Sequence, residues 1–220
     1  MPYRVLLICP DMGFDTHDEI VSASSGFAPN ILSGTVTRQR ALSEIASGQY
    51  DIVHFATHGK EHVLQMTDGI IEEEMLEHAV RKAATIRVLF LNACKSAHTA
   101  VEVYNHTSVN FSIGWPHDIE DAIALTWARL FYEALRIDPA DVKRAADVAS
   151  DSVVKSHHID PDRLPIVLNG RVVQVMEECE KLREELHRAG VMRLPVWVVI
   201  ANVLLVALLI ANLLILSATH

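Results

Sequence analysis

Two residues of this sequence combine the chemistry of a nucleophile and a general base. Cys94 follows the apolar run at residues 87–91, and His58 follows another at residues 51–55. A histidine that accepts the proton of a thiol leaves a thiolate, which is a much stronger nucleophile than the thiol itself. Backbone N–H groups at the turn after each run can hold the negative charge that develops on an attacked carbonyl oxygen. The two residues therefore predict nucleophilic catalysis, provided that the fold brings them together.

The positions of Cys94 and His58 in the sequence favour close contact between the two side chains but do not require it. Function concentrates beyond the carboxyl ends of strands in an open parallel sheet, and both residues fall there. A cysteine after a strand is nevertheless more often a small buried apolar residue, and an isolated histidine more often has a structural role. On position alone, the structural and the catalytic interpretations of Cys94 and His58 both stay open.

Short apolar runs alternate with helical patterns along residues 1–170. We expect strands at residues 4–9, 51–55, 87–91, 109–115 and 164–169, several of them buried on both faces. Strands that are separated by helices form a mostly parallel sheet with helices on both faces. The predicted fold class is thus α/β, with residues 1–170 as one domain.

The helices are predicted from their end signals. Thr37 can cap a helix that runs to about Ser47, where Gly48 provides a stop signal. A helix at residues 71–84 is favoured because acidic side chains occupy its first turn and basic ones its last, as the helix dipole prefers. Further helices are expected at residues 119–135 and after Pro139, and loops at residues 11–30 and 96–109.

Several blocks of the sequence resemble the CHAT family, a branch of the caspase–separase clan of cysteine peptidases. They are the His–Gly block YDIVHFATHG at residues 50–59, the Cys block LFLNACKS at residues 89–96, a third block formed by residues 114–116, 118–121 and 131–135, and a closing strand at residues 165–170. Residues 64–69 and the helix of Glu72 match the usual spacer between the first two blocks. The resemblance covers nearly all of residues 1–170, with the blocks in the family's order.

The resemblance implies a caspase–haemoglobinase fold and hydrolysis of peptide bonds without a cofactor. Cys94 would be the nucleophile and His58 its base, and the backbone amides of Gly59 and Cys94 would form the oxyanion hole. Relatives often bind the substrate side chain before the scissile bond at the place of Asp118 and Asp121, where an acid suits a basic substrate residue. Helix capping explains Asp118 equally well, and the sequence does not decide which of the two points inward.

Family members of this kind often act as proteolytic effectors in bacterial antiviral or cell-death systems, switched on by a separate sensor. The resemblance implies the same role here, with a protein as substrate and a separate sensor or activator protein as partner. The alternative is a catalytically silent, membrane-anchored scaffold or receptor that keeps the fold. The presence of both Cys94 and His58 favours the enzyme, because loss of activity commonly appears as loss of one such residue.

A metal centre is another chemistry that these residue types allow. His54, His58, His62 and His98 could join Cys94 around one ion. His54 and His58 lie on either side of a strand end, however, so they lack the regular helical spacing of a zinc-binding helix. His54 also lies in an apolar strand, where a hydrogen-bonded buried histidine is the usual finding. We therefore expect no metal site.

Composition argues against several other classes of protein. The net charge is −9 with neutral histidines, and no basic stripe is visible, whereas binding of nucleic acid needs clustered Lys and Arg. Cys9, Cys94 and Cys179 are an odd number of widely spaced cysteines, which suits a reducing compartment better than a disulfide framework. The N-terminal residues lack the long apolar core of a signal peptide. We expect no nucleic-acid partner and a catalytic part that faces the cytoplasm.

The segment at residues 194–216 has the composition of a transmembrane helix. Its 23 residues include no Asp, Glu, Lys or Arg. A helix of that length spans about 34 Å, which is enough for a hydrocarbon core of about 30 Å. Basic residues precede the segment and none follows it, so residues 1–193 are expected on the cytoplasmic side of a single-pass membrane protein.

The C-terminal region also contains signals for self-association. Residues 171–193 are predicted to form an amphipathic juxtamembrane helix with apolar residues near heptad spacing. A short coiled coil and a helix packed on the domain explain this spacing equally well. Asn202 and Asn212 lie inside the apolar segment, where side-chain amides can hydrogen-bond between neighbouring helices. Single Asn residues are also tolerated in such helices, so a homo-oligomer and a monomer both remain open.

Overall fold

An open sheet of mostly parallel strands forms the centre of the described structure. The computed structural model describes residues 3–11, 13 and 27–169. The strands, in chain order, are β1 (Val5–Pro10), β2 (Asn30–Gly34), β3 (Ile52–Ala56), β4 (Gly59–Lys60), β5 (Val63–Met66), β6 (Gly69–Glu72), β7 (Val88–Asn92), β8 (Phe111–Gly114) and β9 (Ile166–Asn169). The helices are α1 (Arg38–Ala46), α2 (Glu73–Ala83), α3 (Ala97–His106), α4 (Asp121–Ile137) and α5 (Val142–His157), with a short 3-10 turn at Pro161–Arg163.

Six strands form the main sheet in the order β2-β1-β3-β7-β8-β9. All neighbours pair in parallel except β9, which runs antiparallel to β8. Strands β4, β5 and β6 form a separate antiparallel sheet. The α/β class and the mostly parallel sheet predicted from the sequence are confirmed.

Both faces of the main sheet are covered, and its central strands β1, β3 and β7 are buried at every position. In β1, Val5 and Leu7 belong to one buried cluster, whereas Leu6 and Ile8 belong to the other. The first cluster continues into α4 and α5, and the second into α1, α2 and α3. Successive side chains of a strand point to opposite faces, so a strand between two helical layers is buried on both faces and mostly apolar.

Local end signals fix the helices where the sequence predicts them. The hydroxyl of Thr37 accepts a hydrogen bond from the backbone N–H of Arg40 at 3.2 Å and caps α1, and Gly48 follows the helix with a φ of 71°. Helix α2 has acidic residues in its first turn and basic residues in its last. It begins at Glu73, two residues later than predicted, because residues 71 and 72 belong to strand β6.

Three elements are absent from the sequence-based prediction. Strand β2 buries only Leu32, so no apolar run marks it. The small sheet of β4, β5 and β6 consists of very short strands. Residues 96–109 were expected to be a loop, but α3 occupies most of them; Ser96, which precedes this helix, makes no side-chain capping hydrogen bond to it. Weak local signals therefore account for each difference.

The predicted juxtamembrane and membrane segments, residues 171–193 and 194–216, lie outside the described residues, as do Asn202 and Asn212. Residues 12 and 14–26 of the predicted loop at residues 11–30 lie outside them too. Among the helices that the structure describes, none is both long enough and apolar enough to cross a membrane.

Asp51 joins the starts of three neighbouring strands. Its carboxylate accepts hydrogen bonds from the backbone N–H and the guanidinium of Arg4, at 3.0, 2.9 and 3.2 Å. Its backbone N–H donates to the carbonyl of Arg4, and its carbonyl accepts from the N–H of Arg87. The hydrogen bonds from the Arg4 side chain lower the pKa of Asp51, against the opposing effect of partial burial.

We predict that Asp51→Asn destabilises the domain at neutral pH and has less effect in acid. Because folding lowers the pKa of Asp51, the carboxylate stabilises the fold above its unfolded pKa of about 3.9, and this stabilisation is lost as the pH falls through the lowered folded value. Urea unfolding of both proteins across pH 7 to 3 measures the difference in the free energy of unfolding. A difference that stays constant over this range would contradict the prediction.

Candidate active site

The pairing of β3 with β7 brings His58 and Cys94 to the same edge of the sheet. The two strands are parallel and in register from Ile52 opposite Val88 to Ala56 opposite Asn92. His58 and Cys94 each come two residues after the last residue of their strand. Beyond the strands, the backbone N–H of Thr57 still donates to the carbonyl of Asn92 at 3.4 Å. The two predicted catalytic residues are therefore neighbours at the carboxyl edge.

Gly59 shows how closely the two loops approach each other. A Cβ atom at this position would lie 2.4 Å from the carbonyl oxygen of Cys94 and 2.9 Å from the Cβ of Ala93. Both distances are shorter than real Cβ contacts, so a side chain at position 59 would push the loops apart. The absence of a side chain there lets the backbone after His58 rest on the backbone of the cysteine.

A cleft opens at this edge, with His58 exposed and Cys94 half-buried. Helix α4 contributes one wall, and the two loops contribute the other. The cleft is lined by Ala56, Thr57, His58, Asn92, Ala93, Cys94, Ile119, Asp121, Ala124 and Leu125. Both predicted catalytic residues, His58 and Cys94, thus line one cleft.

The thiol of Cys94 contacts the chain just before α4. The backbone N–H of Ile119 donates to its Sγ at 3.4 Å, and the carbonyl oxygen of the same residue lies 3.7 Å from Sγ, within reach of the thiol proton. Both backbone polar groups of Ile119 therefore contact the sulfur.

The turn that presents Cys94 is held by buried hydrogen bonds. The hydroxyl of Ser96 donates to the carbonyl of Leu91 at 2.8 Å and accepts from the N–H of Trp115 at 3.1 Å. The indole of Trp115 donates to the side chain of Asn92 at 2.7 Å. Lys95 has a left-handed φ of 53°, which makes the turn sharp.

A second glycine closes the other side of this turn. A Cβ at Gly114 would lie 2.8 Å from the carbonyl oxygen of Ser96 and 2.9 Å from the Cβ of Ala100. The end of β8 therefore packs directly against the backbone that follows Cys94.

The two predicted substrate-binding acids occupy different environments. Asp121 is the first residue of α4 and lines the cleft. The carboxylate of Asp118 is 73% exposed and lies 3.2 Å from Nζ of Lys95, while its carbonyl accepts from Arg163. The residue at the cap position of α4 is Glu120, so the alternative that Asp118 caps this helix is wrong.

His54 is separate from the cleft and has a structural environment, as expected from its strand. It is fully buried, its Nδ1 lies 3.1 Å from the hydroxyl of Tyr132, and its ring stacks on Phe90 with centroids 4.2 Å apart. His54 therefore does not share the cleft with His58 and Cys94.

His62 and His98 meet at a different place, on either side of Glu73. Their Nδ1 atoms lie 3.1 and 3.2 Å from the same carboxylate oxygen. Sequence reasoning missed Glu73 as a partner, because it read this residue only as a favourable charge at a helix start. The one available signal was spacing, since His62 and His98 each come four residues after His58 and Cys94.

Comparisons with known proteins bear on the fold. No protein-family model matches the chain, and no curated protein matches it. Among solved structures, it is similar to a secreted C11 cysteine protease from Bacteroides thetaiotaomicron, determined in complex with an irreversible peptide inhibitor. The TM-score is 0.51 at 13% sequence identity, and the match covers 77% of this chain and 66% of the protease chain.

The likeness shows that this chain shares the α/β fold of that protease. The chain spans about two thirds of the length of the protease that it matches.

We predict that Ser96→Ala destabilises the protein by about 1–3 kcal/mol, because it leaves the buried N–H of Trp115 and the carbonyl of Leu91 without their shared partner. Ser156→Ala is the matched control: this hydroxyl donates to a carbonyl within the exposed face of α5, and its loss should change stability by less than about 0.5 kcal/mol. Chemical unfolding measures both. Equal effects of the two substitutions would contradict the role assigned to Ser96.

Proposed function

We propose that the protein is a membrane-anchored cysteine endopeptidase of the CHAT type. The observation that carries this proposal is the backbone contact of Gly59 with Cys94, beside a cleft that Cys94 and His58 both line. A scaffold would need neither the thiol nor the imidazole at this edge. The caspase-like fold supports the same conclusion.

In the proposed reaction, the sulfur of Cys94 acts first as the nucleophile and later as the leaving group. His58 accepts the proton of Cys94, and the thiolate attacks the carbonyl carbon of the scissile peptide bond. The N–H groups of Gly59 and Cys94 hold the oxyanion of the tetrahedral intermediate. His58 then gives its proton to the leaving nitrogen as the C–N bond breaks. Water, deprotonated by His58, hydrolyses the resulting thioester and regenerates the thiol.

Asp121 is the better candidate for recognition of a basic substrate residue. It lines the cleft, whereas the carboxylate of Asp118 is already paired with Lys95. A carboxylate at the cleft wall favours Arg or Lys before the scissile bond through charge-assisted hydrogen bonds.

The segment before α4 is the natural place for control by a separate sensor or activator. Ile119 contacts the sulfur, and the neighbouring Asp118 is held by Lys95 and Arg163. A partner that moved this segment would change both access to Cys94 and the environment of its thiol.

The role as a bacterial antiviral or cell-death effector rests on the CHAT resemblance. The apolar segment at residues 194–216 would anchor the enzyme, and Asn202 and Asn212, together with the juxtamembrane helix, could pair copies in the membrane. Confinement to a membrane raises the effective concentration of an enzyme near a substrate in the same membrane.

The test of the catalytic pair is labelling by a peptide that carries a thiol-reactive electrophile. We predict labelling of Cys94, no labelling at this position in Cys94→Ala, and a rate reduced by about 10²–10⁴-fold in His58→Ala. Cys179→Ser and His157→Ala are the controls and should react as the wild type does. Mass spectrometry identifies the labelled residue and gives the rate. Unreactive Cys94 in the presence of the activating partner would instead favour the scaffold.

The same experiment tests recognition by Asp121. A probe with Arg next to the electrophile should react faster than one with Glu, and Asp121→Asn should reduce the difference more than Asp118→Asn does. A preference for Glu would contradict the assignment while leaving the catalytic pair intact.

The membrane anchor is tested by truncation after Arg188. We predict that the truncated protein leaves the membrane fraction, keeps the labelling rate of Cys94 and loses most of its effect in cells. Fractionation, probe labelling and a cell-viability assay provide the three measurements. A truncated protein that acts in cells as well as the full chain would show that the anchor is not part of the mechanism.

A further inference from the structure

A second group of chemically active side chains lies outside the cleft. It consists of His62, Glu73 and His98, and we refer to it as the His–Glu–His cluster. One ligand atom from each residue lies within 4.8 Å of the others. The two imidazole rings meet edge to face with centroids 4.1 Å apart.

Three separate elements build this cluster. His62 lies in the turn between β4 and β5 with a left-handed φ of 68°, a backbone conformation that is uncommon outside glycine. The N–H of Glu73, the first residue of α2, donates to the carbonyl of His62 at 3.2 Å and fixes the two residues side by side. His98 comes from the first turn of α3.

We propose that the His–Glu–His cluster binds a divalent transition-metal ion of the zinc class. Two imidazoles and one carboxylate are ligands that zinc accepts, with Zn–N and Zn–O distances near 2.0–2.2 Å. The ligand atoms of a tetrahedral ion at such distances lie about 3.3 Å apart, close to the 3.1 and 3.2 Å that separate Glu73 from the two histidines. The side chains are 51%, 25% and 49% exposed, so an ion can reach them.

The ligand types favour zinc over calcium or magnesium. The hard ions prefer oxygen, whereas imidazole nitrogen suits zinc and its neighbours in the transition series. His106 provides a useful comparison, because it contacts Glu77 at 3.2 Å and Glu102 at 3.7 Å on the same helices. That group has two carboxylates but a single imidazole, and we expect it to bind zinc more weakly.

The position of the cluster gives a bound ion a mechanical role. His62 lies four residues after His58 in the sequence, and His98 lies four residues after Cys94. An ion held by both would tie together the two segments that form the cleft. Its importance for catalysis rests on the proposed peptidase function, but the binding itself does not.

The experiment is a zinc titration of the full-length protein, followed by competition with a chromophoric chelator. We expect one zinc per chain in the wild type and in Cys94→Ser, which removes the thiol as a ligand. His62→Asn, Glu73→Gln and His98→Gln should each weaken binding by at least about tenfold. Asn at position 62 tolerates the left-handed backbone. His106→Gln is the matched control and should bind as the wild type does.

Cobalt provides a measurement that does not depend on the cluster variants. Co²⁺ in Cys94→Ser should give the visible absorption of a tetrahedral site without a sulfur-to-metal charge-transfer band. Zinc bound by the wild type but not by Cys94→Ser would sit on the catalytic pair and overturn the proposal. Equal loss in His106→Gln, or no binding at millimolar zinc, would also overturn it. Because labelling of Cys94 is measured separately, failure here and failure of the peptidase proposal are distinguishable.

Discussion

The in-register parallel pairing of β3 with β7 is the constraint on which the candidate site depends. Both strands are buried on both faces, so a shift by one residue would exchange the apolar side chains that serve the two cores. A shift of the register would therefore disrupt the close packing of both cores. Because each candidate catalytic residue lies two positions beyond its strand, the same register places them at one edge. Packing of the core thus determines the geometry of the chemistry.

The turn after β7 holds Cys94 in place through further contacts, in addition to the strand pairing. Ser96, Trp115 and Asn92 form a buried hydrogen-bonded group, and the segment before α4 touches the sulfur itself. These contacts connect Cys94 to β8 and to the start of α4. A change at the start of α4 can therefore reach Cys94 without any movement of the sheet.

The sequence predicts the strands and helices that have local signals. Apolar runs identified β1, β3 and β7, and Thr37 with Gly48 marked the ends of α1, because each signal lies within a few residues of the structure that it specifies. The edge strand β2 and the helix α3 lack such signals. The proximity of Glu73 to His62 and His98 comes from elements that meet only in the folded chain, so no pattern along the sequence predicts it. For the same reason, the sequence left Asp118 and Asp121 equivalent, whereas their surroundings differ in the fold.

Gly59 and Gly114 have a joint consequence for the entropy of the proposed reaction. Gly59 packs against the carbonyl of Cys94, and Gly114 packs against the carbonyl of Ser96. The short turn that carries Cys94 is therefore packed on two sides. A nucleophile on such a turn loses little conformational entropy when it approaches a substrate. The ordering of the attacking group is then achieved during folding, and the encounter with a substrate need only align the substrate itself.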